Sequence, residues 1–523
     1  MTGSWLFLRH FVRRDLWQVL AWSIFAAFLY VSQAVGVDRL YTSQEQFDQA
    51  AATMEHNAAF IAMLGPARAL NTVGGQVTWQ AAAFGAIVAG LMSMFIVGRH
   101  TRKEEESGRD ELLRAAPVDR FAPMTAALLD AALANVALGA FVAASLVAYP
   151  LAVPDSLALG VGVTVCGWFY SGVALLAAQL TSSSRAMYGL TGAFIGLTYL
   201  LRVVGDVSAP ALSWSSPIGW YHGMHAFSGV RWWPLLPLVA AALAVTLAAY
   251  AVFTRRDFGA GVVADRPGPA VAGRGLSSGL GLAWRLQRGS IIGWSLGMAF
   301  MGLAFGAMGK DVQDLMGDSQ MTRDIMAKGG GDLVDAFFAT SVLMLAVTAS
   351  GFSISSALRP RTEEDEGRIE DLLGTALPRR RWLLGHIAMT VLGALVVVVA
   401  SGVGIAAGYL VVTGDAGPTW TYVQATFGYV APVLAMASIA RALHGWAPRL
   451  AWLSWLGLGF ASVVVLFGEV FSMPQWLQDV SPFEHLALVP SEPFRWAPVL
   501  VIGAVALLLS AAGQLGFARR DVS

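Results

Sequence analysis

Groups that could do chemistry or receive a partner are concentrated in two charged stretches of this oily chain, and the stretches repeat each other. The first, Arg102 to Arg120, reads RKEEESGRDELLRAAPVDR; the second, Arg361 to Arg381, reads RTEEDEGRIEDLLGTALPRRR. Gly108, Arg109, Glu111, Leu112, Leu113, Pro117 and Arg120 recur as Gly367, Arg368, Glu370, Leu372, Leu373, Pro378 and Arg381, with two residues inserted between Glu370 and Pro378. Glu104 and Glu105, like Glu363 and Glu364, would sit in the first turns of a short helix, where negative charge favours the dipole. Pro117 would stop that helix. A Leu-Leu pair between charges suits docking into a partner's groove, with Arg109 and Glu111 as polar anchors. A plain solvated loop is the rival reading, and the ordered recurrence argues against it.

Other reactive combinations are missing. No G-x-x-x-x-G-K-[ST] phosphate loop occurs, and Gly306–Lys310, the nearest approach, has the wrong spacing. His222 and His225 share one helical face, but metal sites usually need three or four protein ligands, so no metal is assigned. No nucleophile–base set stands out. By its own residues the chain is not an enzyme and binds no cofactor. Cys166 is the lone cysteine, so no intrachain disulfide can form.

Composition decides what must position these stretches. Hydrophobic types make up 56% of the 523 residues and charged types 13%, about half the soluble-protein share. Gly (56) and Trp (18) are plentiful, as in membrane bundles with close helix contacts and aromatic belts. Zero net charge gives no field for nucleic acid. The basic start before an apolar run would suit a signal peptide, but the same segment recurs near Trp294. A spanning helix needs about 20 apolar residues. Twelve windows qualify: Leu16–Val35, Ala81–Val97, Met124–Tyr149, Leu159–Leu180, Met187–Val204 and Leu235–Phe253, then Ser290–Met308, Ala336–Leu358, Leu383–Val412, Thr419–Ile439, Leu450–Val470 and Val499–Gly516.

Arg9, Arg13, Arg14, Arg99, Arg102, Lys103, Arg114, Arg120, Arg185, Arg255 and Arg256 fall on one side, which the positive-inside rule makes the cytoplasm. The halves share further landmarks. Arg13 with Trp22-Ser23 matches Arg285 with Trp294-Ser295; Arg185-Ala186 and Gly189 match Arg441-Ala442 and Gly445. Gly205-Asp206 resembles Gly468-Glu469, Ser216-Pro217 matches Ser481-Pro482, Arg231-Trp232 matches Arg495-Trp496, and FTRRD at Phe253 matches FARRD at Phe517. The expected fold is therefore an all-α integral membrane protein: twelve transmembrane helices as two parallel six-helix repeats, with both termini cytoplasmic. The halves would be 1–257 and 284–523, joined by a Gly/Pro-rich cytoplasmic linker, 258–283. Asp38–Trp79 and Gly309–Asp335 read as polar external segments, Ser208–Trp233 and Ser472–Trp496 as re-entrant or interfacial ones. Arg202, four residues before Asp206 in the fifth window, is either a functional charge at membrane depth or a residue snorkelling outward with Asp206 as counter-ion. Its counterpart is Val465.

The pattern E-E-x-x-G-R-x-E, then Leu-Leu, then Pro and Arg, after a second span, resembles the coupling helix of type-2 ATP-binding-cassette exporter permeases. The pieces RAMYGLTGAFIGLTYLLRVVGDVS and LSWSSPIGWYHGMHAFSGVRWWPLLPL look like the fused actinobacterial permeases described as polyketide-antibiotic exporters or tetronasin-resistance transmembrane proteins. The resemblance spans essentially the whole chain. It implies two copies of a separate ATPase subunit, which would bind ATP and Mg, and outward movement of antibiotics, drugs or lipids across a bacterial cell membrane. It also implies an interfacial elbow helix at Trp5–Arg14, with a counterpart near Ala283–Arg288. By the same match Glu104, Glu105, Gly108, Arg109, Glu111, Leu112 and Leu113 form the first coupling helix. Glu363, Glu364, Gly367, Arg368, Glu370, Leu372 and Leu373 form the second. In that architecture the first, second and fifth helices of each half line the substrate path. Trp22, Phe25, Met92, Phe95, Phe194, Arg202, Trp294, Phe300, Met344 and Phe460 are its candidates, each also readable as ordinary packing. The alternatives are a lipid-exporting permease of the same class, an ion-coupled secondary transporter, and a membrane scaffold or sensor. Ion coupling asks for intramembrane carboxylates, and the chain offers few: Asp130, Asp206 and Glu469. A sensor would carry a soluble signalling domain.

Overall fold

A computed structural model describes residues 3–41, 43–55, 58–108, 117–257, 259–263, 270–271, 273–309, 333–375, 377–468 and 473–521. Every regular element among them is helical. Twelve helices are long and apolar enough to cross a membrane. Backbone polar groups in hydrocarbon must be satisfied within the segment, which is why such windows become helices. The protein is a twelve-span, multi-pass membrane protein.

The chain forms two compact units, Met1–Pro267 and Gly268–Ser523. The first contains α1 (Ser4–Leu40), α2 (Gln44–Glu55), α3 (Ala58–Leu64), α4 (Val73–His100), α5 (Arg102–Glu106), α6 (Ala122–Ala148), α7 (Val153–Leu180), α8 (Ser184–Val207), α9 (Pro210–Ser213), α10 (Pro217–His222) and α11 (Leu235–Phe253). The spans α4 and α7 are buried over most of their length, whereas α1, α8 and α11 are largely exposed. Small residues let the central helices touch: a Cβ on Gly139 of α6 would lie 2.3 Å from the Gly160 carbonyl oxygen of α7.

The second unit contains α12 (Gly279–Ala307), α13 (Leu333–Ala357), α14 (Arg359–Asp365), α15 (Arg368–Leu373), α16 (Arg379–Thr413), α17 (Thr419–Gly428), α18 (Val430–Trp446), α19 (Leu453–Phe467), α20 (Gln475–Gln478) and α21 (Trp496–Arg519). Its tightest pair is α12 with α16. Gly302 and Gly306 face the Ser401 and Ile405 carbonyls, and Gly404 and Gly408 face those of Ala299 and Leu303, each near 2 Å from an added Cβ. Two interlocked G-x-x-x-G motifs make that approach possible.

Three expectations are corrected. No separate elbow helix exists: α1 runs unbroken through Trp5–Arg14, and α12 through Ala283–Arg288. No Pro or Gly interrupts the first junction, where Leu8 and Phe11 bury themselves on Ala126 and Ala127; at the second the helix continues through Gly289. The tenth span breaks at Tyr429, because Pro432 offers no N–H and crowds the carbonyl four residues back. Beyond the break, α18 continues to Trp446. That puts Arg441 inside the fourth span of its half, while Arg185 opens the fifth, so these two landmarks are not equivalent. Of the re-entrant candidates, 208–233 folds α10 into the core through Ile218 and Tyr221; no residue of α20 is buried. Residues 310–332 and Glu469 lie outside the described residues.

Candidate functional site

Each charged stretch begins directly after the second span of its unit. In the first unit α5 opens two residues after α4 ends. Arg102 is buried and donates to the Ala178 carbonyl (2.7 and 3.1 Å), the Ala260 carbonyl (3.2 Å) and Glu105 (2.6 Å). Glu105 also accepts from both terminal nitrogens of Arg256, one of them at 3.1 Å. Glu104 meets Arg14 at 2.9 Å, and Glu106 accepts from the backbone N–H of Ser184 at the start of α8 (2.8 Å). Gly108 turns the chain with φ +70°, a left-handed conformation that suits glycine. Arg109, Glu111, Leu112 and Leu113 lie outside the described residues.

In the second unit Gly367 makes the same turn, also at φ +70°. Glu363 accepts from Arg359 (2.5 Å) and Arg368 (2.6 and 3.0 Å). Glu364 accepts from Arg520 at 2.8 and 2.6 Å and lies 3.0 Å from His444 Nε2. Glu370 is exposed. The leucine tip does not stand free: Leu372 and Leu373 are half-buried on Ile369, Trp382, Leu383 and Phe517 of their own unit.

Beside the first stretch lies a buried cluster. Asp15 of α1 accepts from Arg99 (2.6 Å) and lies 2.9 Å from His100 Nε2, both of α4. Asp130 Oδ2 of α6 is 3.7 Å from the same nitrogen, and Phe11 stacks on the ring at 3.8 Å. Asp130 Oδ2 and His100 Nδ1 have no hydrogen-bond partner among the described residues. The three ligand atoms are close enough for a cation, but charge argues against one. Two carboxylates there face one guanidinium and one imidazole. A divalent cation would leave an excess positive charge, and unbalanced buried charge costs several kcal/mol. In the second unit the same three spans meet through neutral groups. Gln287 donates to His386 (3.2 Å) and accepts from Ser356 (2.5 Å), which lies 2.9 Å from Thr390.

Of the path candidates, Trp22, Phe95 and the unforeseen Tyr188 form a ladder across α1, α4 and α8, with ring centroids 6.4 and 5.6 Å apart. Phe25 points outward, Met92 is fully buried, and Phe194 rests on Phe169. Trp294, with Gly293, Gly297 and Met298, lines a groove of about 400 Å³. Phe300 is exposed, and Met344 and Phe460 are half-buried.

Two comparisons bear on this arrangement. Residues 276–518 match the family model described as "Multidrug efflux system permease Rv1217c, C-terminal domain". Over 530 residues, 100% of this chain and 95% of the other, the sequence is 36% identical to the "Multidrug efflux system permease protein Rv1217c" of Mycobacterium tuberculosis (strain ATCC 25618 / H37Rv). The chain belongs to the multidrug efflux permease family. The setting is a bacterial cell membrane, crossed many times.

Arg202 of the permease has Asp206 as its counter-ion and is enclosed by protein. It is fully buried, stacks 4.6 Å over Tyr199, and meets Asp206 at 3.4 Å. Its guanidinium donates to the carbonyls of Ile61 (3.4 Å) and Met63 (3.0 Å), capping the last turn of α3. Nearby, burial and the charges of Arg202 and Arg68 hold His222 well below the ordinary imidazole range, and burial, with Arg68 and Arg231, pushes His225 down to about 4. Sequence reasoning missed Asp15, His100, Gln287 and His386. One signal was available: Asp15 and Gln287 stand two residues after the matched Arg13 and Arg285.

Proposed function

We propose that this efflux permease is the membrane subunit of an ATP-driven exporter. Two copies of a separate ATPase, binding ATP and Mg, dock on the two charged stretches from the cytoplasm. Their closure shifts the helices so that hydrophobic or amphipathic compounds move outward. Antibiotics of the polyketide or tetronasin kind, other drugs and lipids are the candidate cargoes. The observation that carries this reading is the repeated element itself: a short acidic helix and a left-handed glycine, directly after the second span of each unit. The absence of a phosphate loop from the sequence supports placing hydrolysis on another chain.

Co-expression with a candidate ATPase tests it. Glu111→Lys and Glu370→Lys together should abolish co-purification and stimulated ATP hydrolysis. Unchanged assembly and unchanged efflux would overturn the docking role. The Asp15–His100–Asp130 cluster favours a second reading, proton-coupled transport. That reading expects efflux to stop when the proton gradient is collapsed with ATP intact; the ATP-driven one expects it to continue.

A further inference from the structure

Both units tie the same carboxylate of the charged stretch to the same arginine of the tail that follows the last span. Laying RKEEESGR over RTEEDEGR places Glu105 on Glu364, and laying FTRRD over FARRD places Arg256 on Arg520. Arg256 grips Glu105 with two nitrogens, and Arg520 Nη2 reaches both oxygens of Glu364 at 2.8 and 2.6 Å. The surroundings repeat as well. Arg256 lies 5.3 Å from the Phe253 ring centre and Arg520 5.1 Å from that of Phe517. A polar side chain near the end of the fourth span completes each set. Gln179 accepts from Arg256 Nε at 2.7 Å, and His444 Nε2 lies 3.2 Å from Arg520 Nη2. Both glutamates are nearly buried, at 9% and 8% exposure, so losing the arginine leaves a carboxylate that water barely reaches.

We infer that this glutamate–arginine latch carries movement of the charged stretch to the last span of each half, with Arg256 and Arg520 as positioning residues. The inference rests on the ATPase-coupled reading above. The peptide chain links each stretch directly to the second span: α5 to α4, and α14 to α13. The last spans, α11 and α21, lie far along the chain and need a noncovalent tie to move with it. An aromatic-backed ion pair that engages both carboxylate oxygens is a stiff tie, because charge-assisted hydrogen bonds are short and strong. Among the described residues, the latch is a tie that both halves share.

The test uses the full chain with its co-purifying ATPase in vesicles, with ethidium as the transported probe. Three quantities are read: ATPase bound per chain, ATP hydrolysed, and ethidium moved per ATP. Arg256→Gln with Arg520→Gln should leave ATPase binding intact and lower ethidium moved per ATP about tenfold, the scale of a coupling contact. Arg256→Lys with Arg520→Lys keeps the charge but loses the planar guanidinium and its contact with the ring behind it, and should fall between. Exchanging the partners, Glu364→Arg with Arg520→Glu, should recover part of the loss caused by Arg520→Gln. Undiminished transport per ATP in the double Gln variant overturns the latch. So does an exchanged pair that folds, by its melting curve, yet recovers nothing. Failure of any ATPase to bind the unaltered chain would instead overturn the coupling reading on which the latch rests.

Discussion

The two halves of the permease keep the latch and differ in the joint behind it. Where the first three spans of the first half meet, Asp15, Arg99, His100 and Asp130 are packed together. At the same meeting in the second half stand Gln287, Ser356, His386 and Thr390. One joint is held by charge; the other is held by neutral hydrogen bonds. Two similar units can thus keep one contact while differing in how firmly its neighbourhood depends on ionisation.

The largest expected effect breaks this contrast at its centre. Asp15→Ala strips Arg99 and His100 of their shared acceptor, and removing one partner of a buried pair costs about 3–5 kcal/mol. Gln287→Ala orphans only neutral groups, at about 1–3 kcal/mol. Chemical denaturation in detergent should rank them in that order. Equal losses would mean that the charged joint is no more than a packing contact.

These joints also mark the boundary of what the sequence made legible. The spans were readable because each is a run of apolar residues long enough to cross hydrocarbon. The charged stretches were readable because both copies are contiguous. Partners were not readable: Arg256 meets Glu105 from 151 residues away, and His100 meets Asp15 from 85. Taken singly, Asp15 is another charge in an arginine-rich start, and Asp130 an isolated carboxylate in an apolar helix. Helix ends were misjudged where a local rule met a tertiary one. Arg441 looked like a loop cation until α18, carrying it past the expected end, gave it Ser510 as a partner.

Acid should loosen the first half at a defined place. His225 is held neutral down to about 4, whereas in the unfolded chain it titrates near 6.5. The folded value is the lower one, so the unfolded state binds more protons between them. This contribution is full above about pH 6.5 and is lost as pH falls toward 4. Hydrogen exchange should therefore report loosening of residues 208–233 over that window, and His225→Gln should reduce the response, leaving the share that His222 supplies. An unchanged response would remove His225 as a source.

The turns offer a symmetric control. Gly108 and Gly367 share φ +70°, and a Cβ on either would meet nothing within 4 Å among the described residues. Alanine at each position should thus cost only the left-handed backbone penalty, about 1–2 kcal/mol. Matching losses from Gly108→Ala and Gly367→Ala, in stability and in efflux, would show that the halves use this element alike. A one-sided loss of efflux would show that one stretch carries most of the load.

The smallest effect belongs to Arg14. Its pair with Glu104 is as short as many buried ones, at 2.9 Å, but the arginine side chain is 39% exposed. Water and salt screen such a contact, and exposed pairs contribute about 0.2–1 kcal/mol. Arg14→Gln should move the melting transition little and leave transport per ATP near that of the unaltered protein. Arg256→Gln removes a contact of similar length to a neighbouring carboxylate on the same short helix, yet from a site with 3% side-chain exposure. Efflux losses of equal size would mean that any tie to α5 serves equally well. A gap between them would assign the work to the buried, repeated contact, since distance alone cannot distinguish the two and desolvation can.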